Sequence, residues 1–138
     1  MLKKSITYMD YNGNELTEDF YFHLSTAKVA DMETSVEGGF SAKLKKLSTK
    51  ATGADIIRII KEFISASYGI KSEDGKHFYQ SAEISREFES TEAYSVLLME
   101  LCTNTEAAIE FISKIFPFND EQRKEIEEKV RAELPPET

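Results

Sequence analysis

The sequence predicts an α+β fold, mainly α, in which an N-terminal β-hairpin packs on a cluster of about five to seven helices. Three observations carry that prediction. β-Branched and aromatic residues flank Asn12-Gly13 between about residues 5 and 22, and this dipeptide tolerates the positive φ angles of a tight turn. From Leu24 onward, apolar residues recur at helical spacing. Capping residues stand ahead of most of those periodic segments. At 138 residues one domain is expected, able to bury roughly two-thirds of the surface its unfolded chain exposes.

Taken in order, the hairpin leaves two registers open. A two-residue loop pairs Met9 with Leu16, and a three-residue loop pairs Ile6 with Phe20. Ser25 then caps a helix running to about Thr34, with Leu24 packing on Val29 as a hydrophobic staple. Gly38-Gly39 interrupts the pattern, and Phe40, Leu44 and Leu47 resume it. Thr52-Gly-Ala-Asp55 has capping-box spacing. The stripe behind it, from Ile56 to Ile64, is so wide that the helix to Tyr68 is expected to be the central one, covered on most sides. Gly69 is read as its stop, followed by a polar connection around Asp74-Gly75 with room for a second, very short hairpin.

Ser81 and Ser90 are possible caps for helices at 82–88 and 91–102, the second carrying Tyr94, Leu97, Leu98 and Leu101. Thr103-Asn-Thr-Glu106 opens a helix with Ile109, Ile112 and Ile115 that must end near Pro117. A last, highly charged helix capped from Asn119 shows only Ile126, Val130 and Leu134 along one strip before Pro135-Pro136. The division expected is a domain over 1–117 and a charged helix with a Pro-rich end over 118–138.

Composition narrows the function classes. A net charge of −8 opposes a sequence-independent grip on nucleic acid, which needs clustered cations. No stretch reaches the ~20 apolar residues of a membrane span, and Met1-Leu-Lys-Lys-Ser has no apolar run behind it to serve as a signal peptide. The lone Cys102 forms no intramolecular disulfide, which suits a reducing cytoplasm.

Catalytic and metal-binding patterns are weak. His23 and His77 lack a ligand at helical metal spacing, and Cys102 at a helix end reads as a space-filling hydrophobe. Glu73-Asp74 and Glu125-Glu127-Glu128 lack the alternation of a calcium loop. Lys43, Lys45, Lys46 and Lys50 read as the solvated side of an amphipathic helix. No cofactor and no catalysis are expected.

The hairpin is the unusual segment. Phe20 and Phe22 share one face and Tyr21 takes the other, while Ile6 and Tyr8 oppose Met9 and Tyr11. Both faces therefore read as apolar, so either helices wrap the hairpin or a second chain covers it.

Thr17-Glu-Asp-Phe-Tyr-Phe-His-Leu24 after Tyr8-Met-Asp-Tyr-Asn-Gly, with Ser67-Tyr-Gly, Lys71-Ser-Glu-Asp-Gly75 and Thr91-Glu-Ala-Tyr-Ser-Val-Leu-Leu-Met-Glu-Leu101, resembles the tail assembly chaperones of long-tailed bacteriophages and prophages. The resemblance covers most of residues 5 to 117 and stops before Phe118. It implies a non-enzymatic protein of the host cytoplasm, absent from the mature virion. Such a protein binds the tape measure protein and helps the tail tube protein assemble around it. The family often also makes a longer form by ribosomal frameshifting, and this chain looks like the shorter product. Copies are expected to form a homo-oligomer, with Tyr8, Tyr21 and Phe22 as the partner-binding residues, and with neither nucleic acid nor membrane as a partner. The rival reading is an acidic phage-encoded adaptor or decoy that binds a host regulatory protein.

Overall fold

A computed structural model of the chain describes residues 1–35 and 53–115. Strands β1 (Leu2–Met9) and β2 (Glu15–Phe22) form the hairpin, followed by α1 (Thr26–Ser35) and α2 (Gly53–Ser67). Then come β3 (Tyr68–Lys71), β4 (Phe78–Tyr79), α3 (Ala82–Glu89), α4 (Glu92–Thr103) and α5 (Thr105–Ile115). The α+β expectation holds, with five helices and one four-stranded sheet in the order β1-β2-β3-β4 among the described residues. The expected helices at 40–47 and beyond 118, the basic patch and the Thr52 cap lie outside the described residues.

Neither expected hairpin register occurs: Met9 pairs with Glu15 and Ile6 with Glu18. The reason lies in the loop. Asp10 Oδ1 accepts hydrogen bonds from the Asn12 and Asn14 amides, both at 2.9 Å, an Asx turn that draws Asp10 into the bend. The Gly13 amide donates to the Asp10 carbonyl (3.1 Å) and the Asp10 amide to Asn14 (2.9 Å). Gly13, at φ +84°, takes the left-handed position of a three-residue loop with a bulge.

This register corrects the expectation of two apolar faces. Leu2, Ile6, Tyr8, Leu16, Phe20 and Phe22 fall on the inner face, while Lys3, Ser5, Thr7, Glu15, Thr17 and Asp19 share the outer one with Met9 and Tyr21. On that outer face the Thr7 and Thr17 hydroxyls bond at 2.8 Å and Ser5 donates to Asp19. Such polar cross-strand pairs suit a solvent-facing surface.

The inner face closes on an aromatic cluster. Phe22 is fully buried against Phe111 (5.3 Å between ring centroids), Tyr68 (5.7 Å) and Phe88 (5.9 Å). Tyr68 stacks on Phe88 at 4.2 Å. Ile59, Ile60, Phe63 and Ile64 bury one side of α2, and Leu97, Leu101, Ile109 and Ile112 complete the core. The other side of α2 carries Arg58, Lys61 and Glu62 in solvent, and Ile57 is 39% exposed. The helix is amphipathic instead of being covered on most sides.

Several caps stand where expected, and others shift. The Lys28 amide donates to Ser25 Oγ (3.1 Å) and the Ile84 amide to Ser81 Oγ (3.1 Å). Thr91, not Ser90, caps α4; Ser90 ends α3. Asn104 Oδ1, not Thr103, accepts from the Ala107 amide (3.1 Å) at the start of α5. Gly69 is not a helix cap but a residue of β3, opposite Tyr21. The Ser67 hydroxyl donates to the Phe63 carbonyl (2.6 Å), and Gln80 Nε2 lies within bonding distance of the Ala66, Ser67 and Tyr68 carbonyls (3.2, 3.0 and 3.3 Å). With the end of α2 satisfied in this way, the chain enters β3 directly. The short second hairpin is present as β3 and β4, joined by a turn in which Ser72 Oγ donates to Asp74 Oδ1 (2.6 Å).

Candidate protein-interaction surface

Of the three residues expected to meet a partner, the structure keeps one on an open face. Tyr21 lies half-buried on the outer face, with Lys71 Nζ 5.4 Å from its ring centroid, a cation–π contact across the β2–β3 pair. Tyr8 stands on the inner face, its ring 6.3 Å from Phe20, and its hydroxyl donates to Glu18. That hydrogen bond, to a carboxylate that holds the proton in place, pushes the Tyr8 pKa up to about 12. Phe22 exposes nothing and offers a partner no surface; the assignment is corrected, because its inward direction follows from the register. Tyr8 and Phe22 share one face and Tyr21 the opposite one, so the three do not form a patch.

Apart from Met1 and Ile57, the exposed large apolar side chains among the described residues fall in two places. Ile70 (48% exposed) and Tyr79 (53%) are direct cross-strand partners on the β3–β4 hairpin. His77, in solvent, stacks on Tyr79 at 5.8 Å. At the other border of the sheet, Met9 and Tyr11 project at the first hairpin tip, and Val96 and Met99 line one flank of α4. The Tyr11 hydroxyl donates to the Ser90 carbonyl (3.0 Å), and Lys4 Nζ forms an ion pair with Glu100 (2.8 Å). These two contacts lay β1 alongside α4. Sequence reasoning missed Val96 and Met99. Both fall outside the Tyr94-Leu97-Leu98-Leu101 stripe, and that offset was the available signal.

Chemistry of the other kinds finds little to build on. Among the described residues no group of three or more His, Cys, Asp or Glu side chains is placed to hold a metal ion. Burial raises the Cys102 thiol above its ordinary pKa, only partly offset by Lys61, which suppresses the thiolate. No described helix is long and apolar enough to cross a membrane. A groove of about 320 Å³ beside β1 is lined mainly by charged and polar groups, including Lys3, Lys4, Glu100, Glu110 and Lys114. It does not have the enclosed, apolar character of a small-molecule site.

Comparison with known proteins adds one finding. The family model described as phage tail assembly chaperone matches residues 1–137, and so continues through the C-terminal stretch where the resemblance read from the sequence stopped. Searches of the curated proteins and of the solved structures return no match.

Proposed function

The chain belongs to the phage tail assembly chaperone family, and from that premise we propose that it is a non-enzymatic chaperone of the tape measure protein. In this reading it covers apolar segments of that long client in the host cytoplasm, helps the tail tube protein assemble around it, and leaves before the virion is complete. Several copies act on one client and associate with one another. Residues 1–117 form the chaperone domain and 118–138 an appended charged segment.

The family match over residues 1–137 carries the proposal, and the surface supports it physically. A client with exposed apolar faces aggregates unless those faces are covered. Ile70 and Tyr79 supply apolar contact area on one face of the sheet and Tyr21 a smaller area on the opposite face, and a net charge of −8 gives coated clients a mutual repulsion.

The test is co-expression with the tape measure protein of the same phage or prophage, scoring the client in soluble and pelleted fractions. A soluble client that co-purifies with this chain supports the reading. A client that pellets equally with and without it overturns the reading.

A further inference from the structure

One border of the molecule combines two unsatisfied features. The first is the outer edge of β1. Because Asp10 and Asn14 form a hydrogen-bonded pair, alternation makes Tyr8–Leu16, Ile6–Glu18 and Lys4–Phe20 hydrogen-bonded pairs as well. The peptide groups of Lys3, Ser5, Thr7 and Met9 then point away from β2, and among the described residues no strand pairs with them. An edge of this kind is a template for another strand.

The second feature is the neighbouring flank of α4. Val96 precedes Glu100 by one helical turn and Met99 by three residues, so the three share a flank. Glu100 reaches Lys4, which sets that flank beside β1. The helix and the strand run in opposite directions, since Tyr11 bonds Ser90 just ahead of α4 and Lys4 meets Glu100 near its end. Val96 and Met99, 41% and 60% exposed, therefore lie along the same border as the unpaired peptides.

We propose that this border receives a second copy of the chain. β1 pairs antiparallel with its twin about a two-fold axis at Thr7, joining two four-stranded sheets into one of eight, and the two α4 helices meet through Val96 and Met99. The inference rests on the reading that copies associate and names the surface through which they do so.

Charge selects this occupant and this register. With Thr7 opposite Thr7, Ser5 faces Met9 and Lys4, which also holds Glu100 of its own chain, comes opposite Asp10, so the basic start of one strand meets the acidic turn of the other. Centring the pair on Ile6 sets Lys4 against Tyr8, and centring it on Ser5 sets Lys4 against Ile6. A parallel pairing stacks Lys3 and Lys4 on their own twins, which is destabilising. A helical partner has its peptide groups bonded internally and leaves those of β1 unpaired. A second copy satisfies the strand edge and the α4 flank together, as an isologous contact requires.

The test uses the full chain in a Cys102→Ser background. Thr7→Cys is expected to cross-link on oxidation to a species of twice 15.7 kDa, because hydrogen-bonded antiparallel partners sit about 5.5 Å apart at Cα, within disulfide reach. Ser5→Cys stays uncross-linked. Thr7→Pro removes an outward amide together with the Thr7–Thr17 hydroxyl contact, and Val96→Lys sets like charges across the axis while adding a helix-compatible residue at an exposed position. Each is expected to raise the dimer dissociation constant about tenfold or more by sedimentation, with an unchanged far-ultraviolet dichroism spectrum. If Thr7→Pro unfolds the strand, Val96→Lys decides.

A wild-type chain that sediments as a monomer throughout a dilution series overturns the inference, as does an assembly that Val96→Lys leaves intact and Thr7→Cys fails to cross-link. Client solubility is scored separately. A monomer that still protects the client sinks this interface and leaves the proposed function standing. A Val96→Lys-sensitive dimer that fails to protect it does the reverse.

Discussion

Tyr8 donates its phenol proton to Glu18 on the neighbouring strand, and that bond is the main reason its pKa rises from 10.0 to about 12. A raised folded-state value means that the folded chain holds the proton more tightly than the unfolded one. The resulting stability is fully present below the unfolded value of 10.0 and is lost as pH climbs through about 12. Glu18→Gln is expected to bring Tyr8 back toward an ordinary phenol and to move the onset of alkaline unfolding to lower pH. Tyrosinate absorbance checks this, read as a difference between variant and wild type. Tyr68 and Tyr94 also titrate high, chiefly through burial; Tyr94 cancels in the difference, whereas Tyr68, which Glu18 raises in small part, moves down alongside Tyr8. Cys102 gives a second expectation at this scale. With its thiol held protonated by burial, it reacts with an alkylating reagent more slowly than a free thiol at neutral pH, and unfolding in denaturant restores the ordinary rate. Both effects are local and leave the fold's architecture untouched.

Elements of the sheet depend on two glycines for opposite reasons. Gly13 has open space where a side chain would stand, but its φ of +84° is costly for any residue with a Cβ. Gly69 has no such angle, yet a Cβ there would lie 2.6 Å from the Phe78 ring and 2.8 Å from Gln80 Cγ. Gly13→Ala is expected to cost about 1–2 kcal/mol through backbone strain, and Gly69→Ala about 1–3 kcal/mol through overpacking. Phe78→Leu should recover part of the second loss and none of the first, as chemical denaturation of the double variants would show. Much of this level was legible in the sequence. Asn12-Gly13 announced a hairpin, Ser25 and Ser81 announced helix starts, and Asp74-Gly75 marked the second turn. What escaped was decided by contacts between distant residues. Gly69 stops a helical pattern in sequence, but only Phe78, folded back over it, shows why no larger residue fits. The register turned on Asp10, whose carboxylate accepts two loop amides and whose amide closes the loop against Asn14; Phe22 then shares the inner face with Leu2, Ile6 and Tyr8 and is buried there. The proposed cross-chain surface rests on residues the sequence did not single out, because strand edges are invisible until the order β1-β2-β3-β4 is known.

At the scale of the whole molecule, the forces proposed for client binding and those that keep the molecule in solution are of different kinds, and salt separates them. Contact through Ile70 and Tyr79 on one face of the sheet, or through Tyr21 on the other, removes apolar area from water, a gain that rising ionic strength does not screen. The net charge of −8 contributes long-range repulsion, which salt does screen. Chaperone–client affinity is therefore expected to hold or rise between low and physiological salt, while the coated client becomes more prone to self-associate. Ile70→Asp and Tyr79→Asp change side chains that are about half exposed, so the fold should persist. Full burial of a large apolar side chain contributes roughly 1.5–3 kcal/mol; these half-exposed positions have about half of that left to gain. Combining the two variants is thus expected to weaken client binding by about tenfold to a hundredfold, and Tyr21→Asp by less, because Lys71 already covers part of its ring. Isothermal titration against a soluble client fragment at two salt concentrations measures both dependences. An affinity that collapses as salt rises, and that ignores Ile70→Asp and Tyr79→Asp, would assign the contact to the acidic surface. The adaptor reading, with a basic partner in place of an apolar client, would then replace the chaperone one.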